Sequence, residues 1–291
     1  MESAIQHAEL LIEALSYIRA FRDKLTVIKL GGSAMEDPDA LRSTLQDVVF
    51  METVGMRPIL VHGGGKAIDR AMQRAGLIPQ KIKGRRVTDD ATLKIVTDVL
   101  QNEINADIVR QIQVLQGQAV PLHTGVLQVL FGRKITIPDE QGKPLDLGRV
   151  GTVTWVNRPL IDNFCRAGTV PVIPCIALDD QGQGLNINAD TAAAAVAIHM
   201  QAEKLVLLTD TPGILRQRDD PQSLIHHMNT QQCSALIEQG IIDSGMLPKV
   251  EACLDSLRAG VKKTHIIDGR VRHSLLLEIY TDVGVGTEIV L

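Results

Sequence analysis

The chain has 291 residues, 45% of them hydrophobic, which is enough to bury a large core as one α/β unit or as two lobes. A formal net charge of −4, without any dense run of lysine and arginine, gives no electrostatic reason to expect nucleic acid or an anionic membrane as a partner. Small-molecule ligands are therefore expected. Because no segment reaches the ~18 apolar residues of a membrane span and no signal-peptide pattern is present, a cytoplasmic location is expected as the default.

Residues 1–22 carry apolar side chains at helical spacing, ahead of the first predicted strand. The residues of this apolar stripe are Ile5, Ala8, Ile12, Leu15, Ile18 and Phe21. The spacing predicts an amphipathic N-terminal helix. Its apolar face can dock on the body of its own chain or exchange onto a neighbouring subunit, and the spacing does not choose between these arrangements.

After residue 22, short β-branched apolar runs alternate with segments of helical periodicity. The first predicted elements are strand Thr26–Leu30, a helix near Pro38–Val54, strand Arg57–His62 and a helix over Lys66–Ala75. Such alternation predicts a mainly parallel sheet that is covered by helices.

The middle of the chain, residues 120–151, is richer in short β-like pieces and turn residues, and we expect hairpins there. A buried strand follows at Val170–Ile176. The stretch Asp179–Gly184 is the most linker-like inside the chain, so a lobe boundary is placed after it. The elements predicted beyond it are helix Ala189–Met200, strand Lys204–Thr209, helices near Thr230–Gln239 and Leu247–Ala259, strand Thr264–Ile267, and a final helix and strand.

Two glycine clusters, Gly31–Gly32 and Gly63–Gly65, each follow a predicted strand and precede a helix-like stretch. Without a Cβ, these turns can bring backbone N–H groups and the next helix N-terminus close to phosphate or carboxylate oxygens. Together with Lys29, just before the first turn, the clusters predict phosphoryl-group chemistry. His62, which precedes the second cluster, is interpreted as a strand-end packing or turn residue.

Common nucleotide-binding signatures do not fit the second glycine cluster. A P-loop would need a glycine where Leu60 stands and a serine or threonine where Ala67 stands. The dinucleotide-binding pattern fails at Ile68, where its third glycine would let a helix pack closely on a strand. A dehydrogenase is therefore a weak alternative.

Cysteines and histidines give no sign of a metal site or of a disulfide framework. Cys165, Cys175, Cys233 and Cys253 lie far apart and form no CxxC pair, so all four are interpreted as packing residues. The pair His226–His227 has no partner at metal-ligand spacing. No metal ligands are predicted.

Six ordered motifs resemble those of the acetylglutamate kinases, within the amino acid kinase family. They are residues 28–35 (IKLGGSAM), 61–65 (VHGGG), 84–89 (GRRVTD), 185–190 (LNINAD), 208–214 (LTDTPGI) and 245–249 (GMLPK). The resemblance implies an αβα sandwich with a mainly parallel central sheet and two lobes, an acceptor-binding lobe at 23–184 and a nucleotide-binding lobe at 185–291. The implied reaction is phosphorylation by ATP of the side-chain carboxylate of N-acetyl-L-glutamate, in arginine biosynthesis, with Mg²⁺ carried mainly by the nucleotide.

By resemblance, three charged residues carry out the phosphoryl transfer. Lys29 would contact the transferring group from the acceptor lobe and Lys249 from the nucleotide lobe, while Asp190 would organise both lysines. These residue types suit the chemistry, because an anionic acceptor must approach an anionic triphosphate and cations are needed where charge spreads in the transition state. A carboxylate acceptor is already ionised at neutral pH, so no general base is required.

The resemblance also implies which residues bind the two substrates. The acceptor would be bound by Gly64, Gly65, Arg86, Asn186 and Asn188, and the nucleotide by Lys29, Gly31, Gly32, Asp210, Gly213 and Lys249. A guanidinium such as that of Arg86 suits a free α-carboxylate, and asparagines can donate and accept hydrogen bonds with the N-acetyl amide. Asn188 could instead, or in addition, cap the helix that follows it.

The N-terminal helix and the C-terminal motifs resemble those of the arginine-inhibited members of the family. In those enzymes the leading helix exchanges between dimers to build a hexamer, and arginine binds beside it. The matching positions here are Tyr17, Lys204, His265, Glu278 and Gly286. The resemblance therefore implies an arginine effector and a homo-oligomer, either a dimer or a hexamer, although Tyr17 could be a core-facing helix residue and Glu278 a surface residue.

One stretch, Val120–Leu127, departs from the family pattern because an acidic residue usual there is missing, which puts the local turn and a subunit contact in doubt. Two alternative functions stay open. A kinase for N-acetyl-2-aminoadipate would act on an acceptor one methylene longer, a difference worth only ~1–3 kcal/mol. A catalytically silent relative that senses amino acids or binds a partner is less favoured, since both lysines and the aspartate are present.

Overall fold

A computed structural model of the chain describes residues 2–139, 141–218, 220–242, 245–281 and 284–291. The helices are α1 (Glu2–Phe21), α2 (Gly32–Glu36), α3 (Pro38–Thr53), α4 (Gly65–Arg74), α5 (Asp90–Asp98), α6 (Ala106–Val114), α7 (Arg158–Arg166), α8 (Ala189–Met200), α9 (Thr230–Glu238), α10 (Leu247–Arg258) and α11 (Ser274–Ile279). A π-helical turn, Val99–Asn105, joins α5 to α6, and a 3-10 turn spans Pro221–Ser223.

The strands alternate with these helices along the chain. They are β1 (Leu25–Leu30), β2 (Arg57–His62), β3 (Lys81–Ile82), β4 (Arg85–Arg86), β5 (Ala119–Pro121), β6 (Leu130–Pro138), β7 (Pro144–Val156), β8 (Val170–Pro174), β9 (Ile176–Leu178), β10 (Gly184–Ile187), β11 (Lys204–Thr209), β12 (His227–Asn229), β13 (Lys263–Asp268) and β14 (Thr287–Val290). The bounds agree with the predicted elements to within a few residues, while β3, β4, the helices between residues 90 and 114, and α7 were not predicted.

One eight-stranded sheet, in the order β12-β14-β13-β11-β1-β2-β8-β5, runs through the whole molecule. All neighbouring strands in it are parallel except β13 and β14. β1 lies near the centre, where Lys29 pairs with Leu207 of β11 on one side and with Val61 of β2 on the other. The predicted mainly parallel central sheet is confirmed.

Helices cover both faces of this sheet. Successive strand residues point to opposite faces, and both sets of side chains are mainly apolar and become buried under helices. On β1, Val27 belongs to a core that includes the small side chains of α8, whereas Ile28 and Leu30 belong to a second core formed with α3, α6 and α11. The strands are therefore buried on both faces, as their continuous apolar sequences suggest. This arrangement is the predicted αβα sandwich.

The middle of the chain forms a small closed barrel of β10, β7, β6 and β9. β6 and β7 make the hairpin that was expected there. The stretch 179–184, which was interpreted as linker-like, is the turn of a second hairpin, where Asp179 Oδ1 accepts hydrogen bonds from the backbone of Gln181 and Gln183. The strand after the predicted boundary thus pairs with the strand before it, and the division into lobes at residue 184 stays a prediction.

The N-terminal helix α1 contacts its own chain through its last turns. Tyr17 and Phe21 pack edge to face against Tyr280, with ring centroids 6.0 and 6.1 Å apart. Towards the N-terminus, Ile5 and Ile12 are 53% and 69% exposed. The C-terminal end of α1 thus docks on the body of its own chain. A role of α1 in oligomerisation stays a prediction. No helix within the described residues is long and apolar enough to span a membrane.

Candidate active site

The candidate active site lies at the carboxyl edge of the parallel strands. β1 leads into the Gly31–Gly32 turn and β2 into the Gly63–Gly65 turn, while Asp210 follows the end of β11. β11, β1 and β2 are neighbours in the sheet. Ligands of open α/β sheets bind at this edge, because the loops that follow adjacent parallel strands meet there.

Three charged side chains converge at this edge and form the lysine–aspartate triad. Lys29 Nζ lies 2.9 Å from Asp190 Oδ1, and Lys249 Nζ lies 3.2 Å from Asp190 Oδ2. Lys29 stands two residues after Val27, so it faces α8, whose first turn holds Asp190. Lys249 is in the first turn of α10, which packs on α8. The structure therefore brings together the three predicted catalytic residues from distant parts of the sequence.

The triad is largely buried and carries a net positive charge. Lys29 and Asp190 are 7% and 5% exposed, and the Lys249 side chain is 22% exposed. Burial by itself would raise the pKa of Asp190, but the two ammonium groups outweigh burial and hold this pKa below its ordinary value. Asp190 is therefore ionised at neutral pH, and two lysines against one carboxylate leave one positive charge to attract an anion.

A first cavity of about 330 Å³ opens beside Lys29 and Asp190. All five residues predicted to bind the acceptor line it, namely Gly64, Gly65, Arg86, Asn186 and Asn188. Gly32 also lines this cavity, and a Cβ built on Gly32 or Gly65 would meet no protein atom within 4 Å. The backbone of both turns is thus open to a ligand at these two residues.

The polar side chains of the first cavity are held by neighbours. Arg86 is buried, with Nη2 2.5 Å from Asp69 Oδ1 and donating to the Gly65 carbonyl oxygen at 3.2 Å. Burial raises the pKa of Asp69, but hydrogen bonds from Lys81 and Arg86 outweigh it and hold this pKa below its ordinary value. Asn186 Nδ2 donates to Thr88 Oγ1 at 3.0 Å. The guanidinium and the amide are therefore fixed in place before any ligand binds.

Asn188 is the N-cap of α8. Its Oδ1 accepts hydrogen bonds from the backbone N–H groups of Asp190, at 3.0 Å, and Thr191, at 3.1 Å. The predicted capping role is confirmed, and Asn188 also lines the first cavity. The cap also fixes the first turn of α8 and hence the position of the Asp190 carboxylate.

A second cavity, of about 480 Å³, lies on the other side of the triad and is lined by Asp210, Gly213 and Lys249. Gly213 has φ of 145°, and a Cβ there would come within 2.8 Å of Leu224 Cδ1, so the turn requires glycine. Gly31 lines neither cavity. Its Cβ would clash with the carbonyl oxygen of Leu208, so packing of the turn against β11 explains this glycine.

The nucleotide residues predicted from sequence are thus divided between the two cavities, because Lys29 and Gly32 line the first. Sequence reasoning missed several charged residues that line the cavities. They are Lys66, Asp69, Lys81 and Arg85 in the first cavity and Arg216 and Arg218 in the second. Arg85 was the easiest to find, since it stands in a matched motif next to Arg86. Asp69 lies one helical turn after Gly65 on α4, but the sequence does not show that α4 faces Arg86.

The five positions predicted for an effector also come together, in a second group that we call the effector cluster. Glu278 Oε1 lies 2.8 Å from His265 Nδ1, and Glu278 Oε2 accepts hydrogen bonds from the N–H groups of Val285 and Gly286. Lys204 is 5% exposed, and its Nζ lies 4.7 Å from the centre of the Phe21 ring. Phe21 and Tyr17 both belong to α1. Glu278 is 7% exposed, so the interpretation of Glu278 as a surface residue is wrong.

Burial and hydrogen bonds both shift the pKa values of the effector cluster. Burial lowers the pKa of both His265 and Lys204. For Glu278 burial acts in the opposite direction, but the hydrogen bonds from His265 and from two backbone N–H groups hold its pKa below the ordinary value. The cluster therefore contains an ionised carboxylate whose hydrogen bonds are already satisfied within the chain.

The remaining sequence predictions concern cysteines, metals and the divergent stretch. All four cysteines are free and buried, and burial raises the pKa of Cys175 and Cys253 to about 12. In the part of the chain that the structure describes, no group of three or more His, Cys, Asp and Glu residues is placed to hold a metal ion. The divergent stretch forms a turn closed by a hydrogen bond from Val126 N to the His123 carbonyl oxygen. The turn therefore forms without an acidic residue, and its part in a subunit contact stays untested.

Comparisons with known proteins agree with this geometry. Residues 24–268 match the amino acid kinase family. An acetylglutamate kinase of Methanobrevibacter smithii is 44% identical over 98% of this chain and 99% of its own length.

Among solved structures, N-acetylglutamate synthase from Neisseria gonorrhoeae, complexed with coenzyme A and N-acetyl-glutamate, has a TM-score of 0.85 and 26% identity, covering 97% of this chain and 62% of that one. The same synthase complexed with coenzyme A and L-arginine has a TM-score of 0.80 and 25% identity, covering 96% of this chain and 64% of that one. This chain thus spans somewhat less than two thirds of the synthase. By its family match and its near full-length similarity to a curated relative, the chain belongs to the acetylglutamate kinases of the amino acid kinase family.

Proposed function

We propose that this protein transfers the γ-phosphoryl group of ATP to the side-chain carboxylate of N-acetyl-L-glutamate, a step of arginine biosynthesis. The observation that carries the proposal is the triad, in which Asp190 holds Lys29 on the wall of one cavity and Lys249 on the wall of the other. Its family relatives support the same activity. The product is an acyl phosphate, formed as the γ-phosphorus bond to the bridging oxygen of ATP breaks and a bond to the carboxylate oxygen forms.

The chemical difficulty is electrostatic, since a carboxylate must approach a triphosphate of the same charge sign. Lys29 and Lys249 neutralise charge on the transferring group from two sides, where it spreads over the equatorial oxygens in the transition state. Asp190 keeps the two ammonium groups close together by offsetting their mutual repulsion. A general base is not needed, because the acceptor is ionised at neutral pH.

Acceptor binding belongs to the first cavity in this proposal. Arg86 binds the α-carboxylate, and Asn186 and Asn188 bind the acetylamide and the neighbouring carboxylate. Because Asp69 already holds the guanidinium of Arg86, the arginine loses little side-chain entropy when the acceptor binds. The backbone N–H groups of Gly32 and Gly64 complete the set by donating to the transferring phosphoryl group.

ATP binds in the second cavity as its magnesium complex, with Asp210 and Gly213 on the cavity wall. Both oxygens of Asp190 are engaged by ammonium groups, so this carboxylate is not offered to the metal. Mg²⁺ commonly keeps several waters and is held by substrate phosphates, which fits a site of this composition.

Hydroxylamine trapping of the acyl phosphate tests the proposal directly. Purified protein is incubated with MgATP, hydroxylamine and either N-acetyl-L-glutamate or N-acetyl-2-aminoadipate, and the hydroxamate is measured. We expect hydroxamate with acetylglutamate. Higher kcat/KM with the longer acceptor would instead assign the aminoadipate reaction, and absence of product with both would show that the chain is not a kinase for these acceptors.

We further propose that L-arginine inhibits the enzyme by binding at the effector cluster. The support is that Lys204, His265, Glu278 and Gly286 lie together beside α1, and that a similar solved synthase was crystallised with L-arginine. Ionised Glu278 suits the arginine guanidinium and Lys204 suits its carboxylate. Arginine should raise the apparent KM for acetylglutamate, and unchanged kinetics at saturating arginine would refute the proposal.

We also propose that the exposed apolar part of α1 exchanges between neighbouring dimers of the chain, so that three dimers form a hexamer in the cytoplasm. Exposed Ile5 and Ile12 support this proposal. Sedimentation of the full chain and of a chain without residues 1–22 tests it, because only the full chain should form the larger species.

A further inference from the structure

His62 is the last residue of β2, directly before the Gly63–Gly65 turn, and its side chain is fully buried. Nδ1 lies 3.1 Å from the carbonyl oxygen of Gly63, and Nε2 lies 3.0 Å from Asn105 Nδ2. Asn105 is the last residue of the π-helical turn, and its Nδ2 also lies 3.0 Å from the Val172 carbonyl oxygen. The proposed phosphoryl-transfer mechanism uses neither His62 nor Asn105. Both side chains are buried, and His62 directly precedes the Gly63–Gly65 turn.

The hydrogen-bond partners determine which ring nitrogen of His62 carries the proton. The Val172 carbonyl oxygen can only accept, so the Asn105 group that faces it must be the amide nitrogen, Nδ2. The second hydrogen of this amide then points to Nε2 of His62, which must accept it. Nδ1 therefore holds the proton of a neutral ring and donates to the Gly63 carbonyl oxygen.

Burial agrees with a neutral ring, since it lowers the pKa of His62 to about 4. His62 is not placed to act as a base in the reaction. Its side chain does not line the first cavity, and both ring nitrogens have partners within the chain.

The bond from His62 fixes the direction of the next backbone amide. Peptide groups are planar and nearly always trans, and no cis peptide occurs among the described residues. Because the Gly63 carbonyl points to the His62 ring, the N–H of Gly64 in the same peptide points the opposite way. Gly64 lines the first cavity and is the N-cap of α4.

Side chains of the π-helical turn also pack directly against Gly64. A Cβ built on Gly64 would clash with Ile104 Cδ1 and would come within 2.9 Å of Leu100 Cδ2. Leu100, Ile104 and Asn105 all belong to this seven-residue turn. Such wider turns are rare and often occur at functional sites. One local irregularity therefore supplies both the direct packing on Gly64 and the partner that sets the His62 tautomer.

We propose that His62 and Asn105 are positioning residues, which hold the Gly63–Gly64 peptide so that the Gly64 N–H points to the transferring phosphoryl group. This inference rests on the proposed function, in which Gly64 donates that hydrogen bond. It assigns to His62 a more specific role than strand-end packing, because the position of one proton on the ring decides the orientation of the peptide.

Two substitutions of His62 separate the two ring nitrogens. In His62→Asn, the side-chain amide can place an N–H where Nδ1 stands, whereas in His62→Gln the amide reaches the place of Nε2 and loses the bond to Gly63. His62→Asn removes more side-chain volume than His62→Gln, so loss of packing alone would lower kcat more in His62→Asn, which is the opposite of the order expected from the hydrogen bond. We expect His62→Asn to keep kcat within about threefold of the unmodified enzyme, and His62→Gln to lower kcat at least about tenfold, with little change in either KM.

The readouts distinguish failure of this inference from failure of the proposed function. Unmodified protein that makes no hydroxamate would overturn the proposed function and, with it, the role of the Gly64 amide. An active unmodified enzyme whose two variants lose kcat equally, or whose His62→Gln variant keeps full kcat, would overturn only the positioning role.

If either substitution yields no folded protein, the ¹⁵N spectrum of the unmodified protein decides. A proton on Nδ1 of His62 supports the inference, and a proton on Nε2 refutes it.

Discussion

Two buried groups of charged residues lie towards opposite ends of β11, and they differ in how their charge is satisfied. The triad lies at the carboxyl end, where two ammonium groups share one carboxylate. The effector cluster lies nearer the amino end, where Lys204 begins the strand and Glu278 accepts three hydrogen bonds from its own chain. Both groups are largely buried, yet only the triad carries an excess of positive charge on the walls of open cavities.

The difference shows how one fold can keep one site, the triad, ready for a ligand and a second site, the effector cluster, closed to a ligand. An excess positive charge in a poorly hydrated place attracts an anion without rearrangement, which suits a catalytic site. A carboxylate that is already satisfied must exchange its partners before it binds a ligand cation, so ligand binding there must be coupled to a change in the surrounding chain. That coupling is what an effector site requires.

The largest expected effect comes from breaking the triad on its second-cavity side. Lys249→Met removes the ammonium group but keeps most of the side-chain volume, and we expect kcat to fall about 10³-fold or more, since a preorganised charge on the transferring group is lost. Steady-state kinetics with urea unfolding measures activity and stability separately. Exposed Lys262, changed to Met, is the matched control and should leave kcat unchanged. Turnover close to that of the unmodified enzyme in a folded Lys249→Met protein would refute its catalytic role.

Removing the shared carboxylate tests whether charge holds the triad together. Asp190→Asn should lower the free energy of unfolding at pH 7 by about 3 kcal/mol, because the two ammonium groups are left to repel each other. The pKa of Asp190 is lowered in the folded state, so its stabilisation is present above the ordinary pKa of about 3.9 and is lost as pH falls through the lower, folded-state value.

The stability difference between the unmodified enzyme and Asp190→Asn should therefore be constant from pH 7 to about 5 and shrink below about pH 4. Urea unfolding of both proteins across this range measures it. A difference that grows on acidification would contradict the proposed electrostatics.

A steric change in the glycine turn beside the triad tests how tightly this turn is packed, without altering any charge. Gly64→Ala places a methyl group against Ile104 and Leu100 and should cost about 1–3 kcal/mol of stability. Gly65→Ala, at the first helical residue of α4, meets no protein atom and should leave the free energy of unfolding within about 1 kcal/mol of the original. Thermal and urea unfolding of the two variants provides the measurement, and equal losses would show that the packing on Gly64 is not the cause.

The smallest expected effect is at the other end of β11. Glu278→Gln keeps the shape of the side chain but removes the charge proposed to receive arginine, so the arginine concentration for half inhibition should rise about tenfold or more while kcat without arginine stays the same. Exposed Glu238, changed to Gln, is the control. Inhibition assays over a range of arginine concentrations measure the effect, and an unchanged half-inhibitory concentration would exclude Glu278 from the effector site.

The strands and most helices could be predicted because their residues are locally consistent. β1 and β2 are short apolar runs that end at glycine turns, and α8 is a run of small residues with an asparagine cap. The barrel was harder, because its turns have the composition of linkers. The Asp179 turn contains glycines and carboxylates, and only the pairing of β9 with β10 shows that it closes a hairpin.

The triad could be named from motifs, but its geometry could not be obtained from the sequence. Lys29, Asp190 and Lys249 meet because β1 lies next to β11 and α8 packs on both, a strand order that composition does not encode. The roles of Arg85 and Asp69 were missed for the same reason, since each depends on which elements face the cavity. The π-helical turn left no recognised signal, because helical periodicity alone does not reveal one extra residue in a turn.

The central position of β1 limits where this molecule can flex. The strand is bonded to β2 and to β11 along its length, so the two cavities cannot move apart by a hinge through the sheet without breaking these ladders. Any relative movement of the two cavity walls is therefore confined to segments beyond the strand ends. Lys29 lies on β1, within the sheet, whereas Lys249 lies in the first turn of α10, outside the sheet. Hydrogen exchange should accordingly be slow in β1 and faster in the first turn of α10.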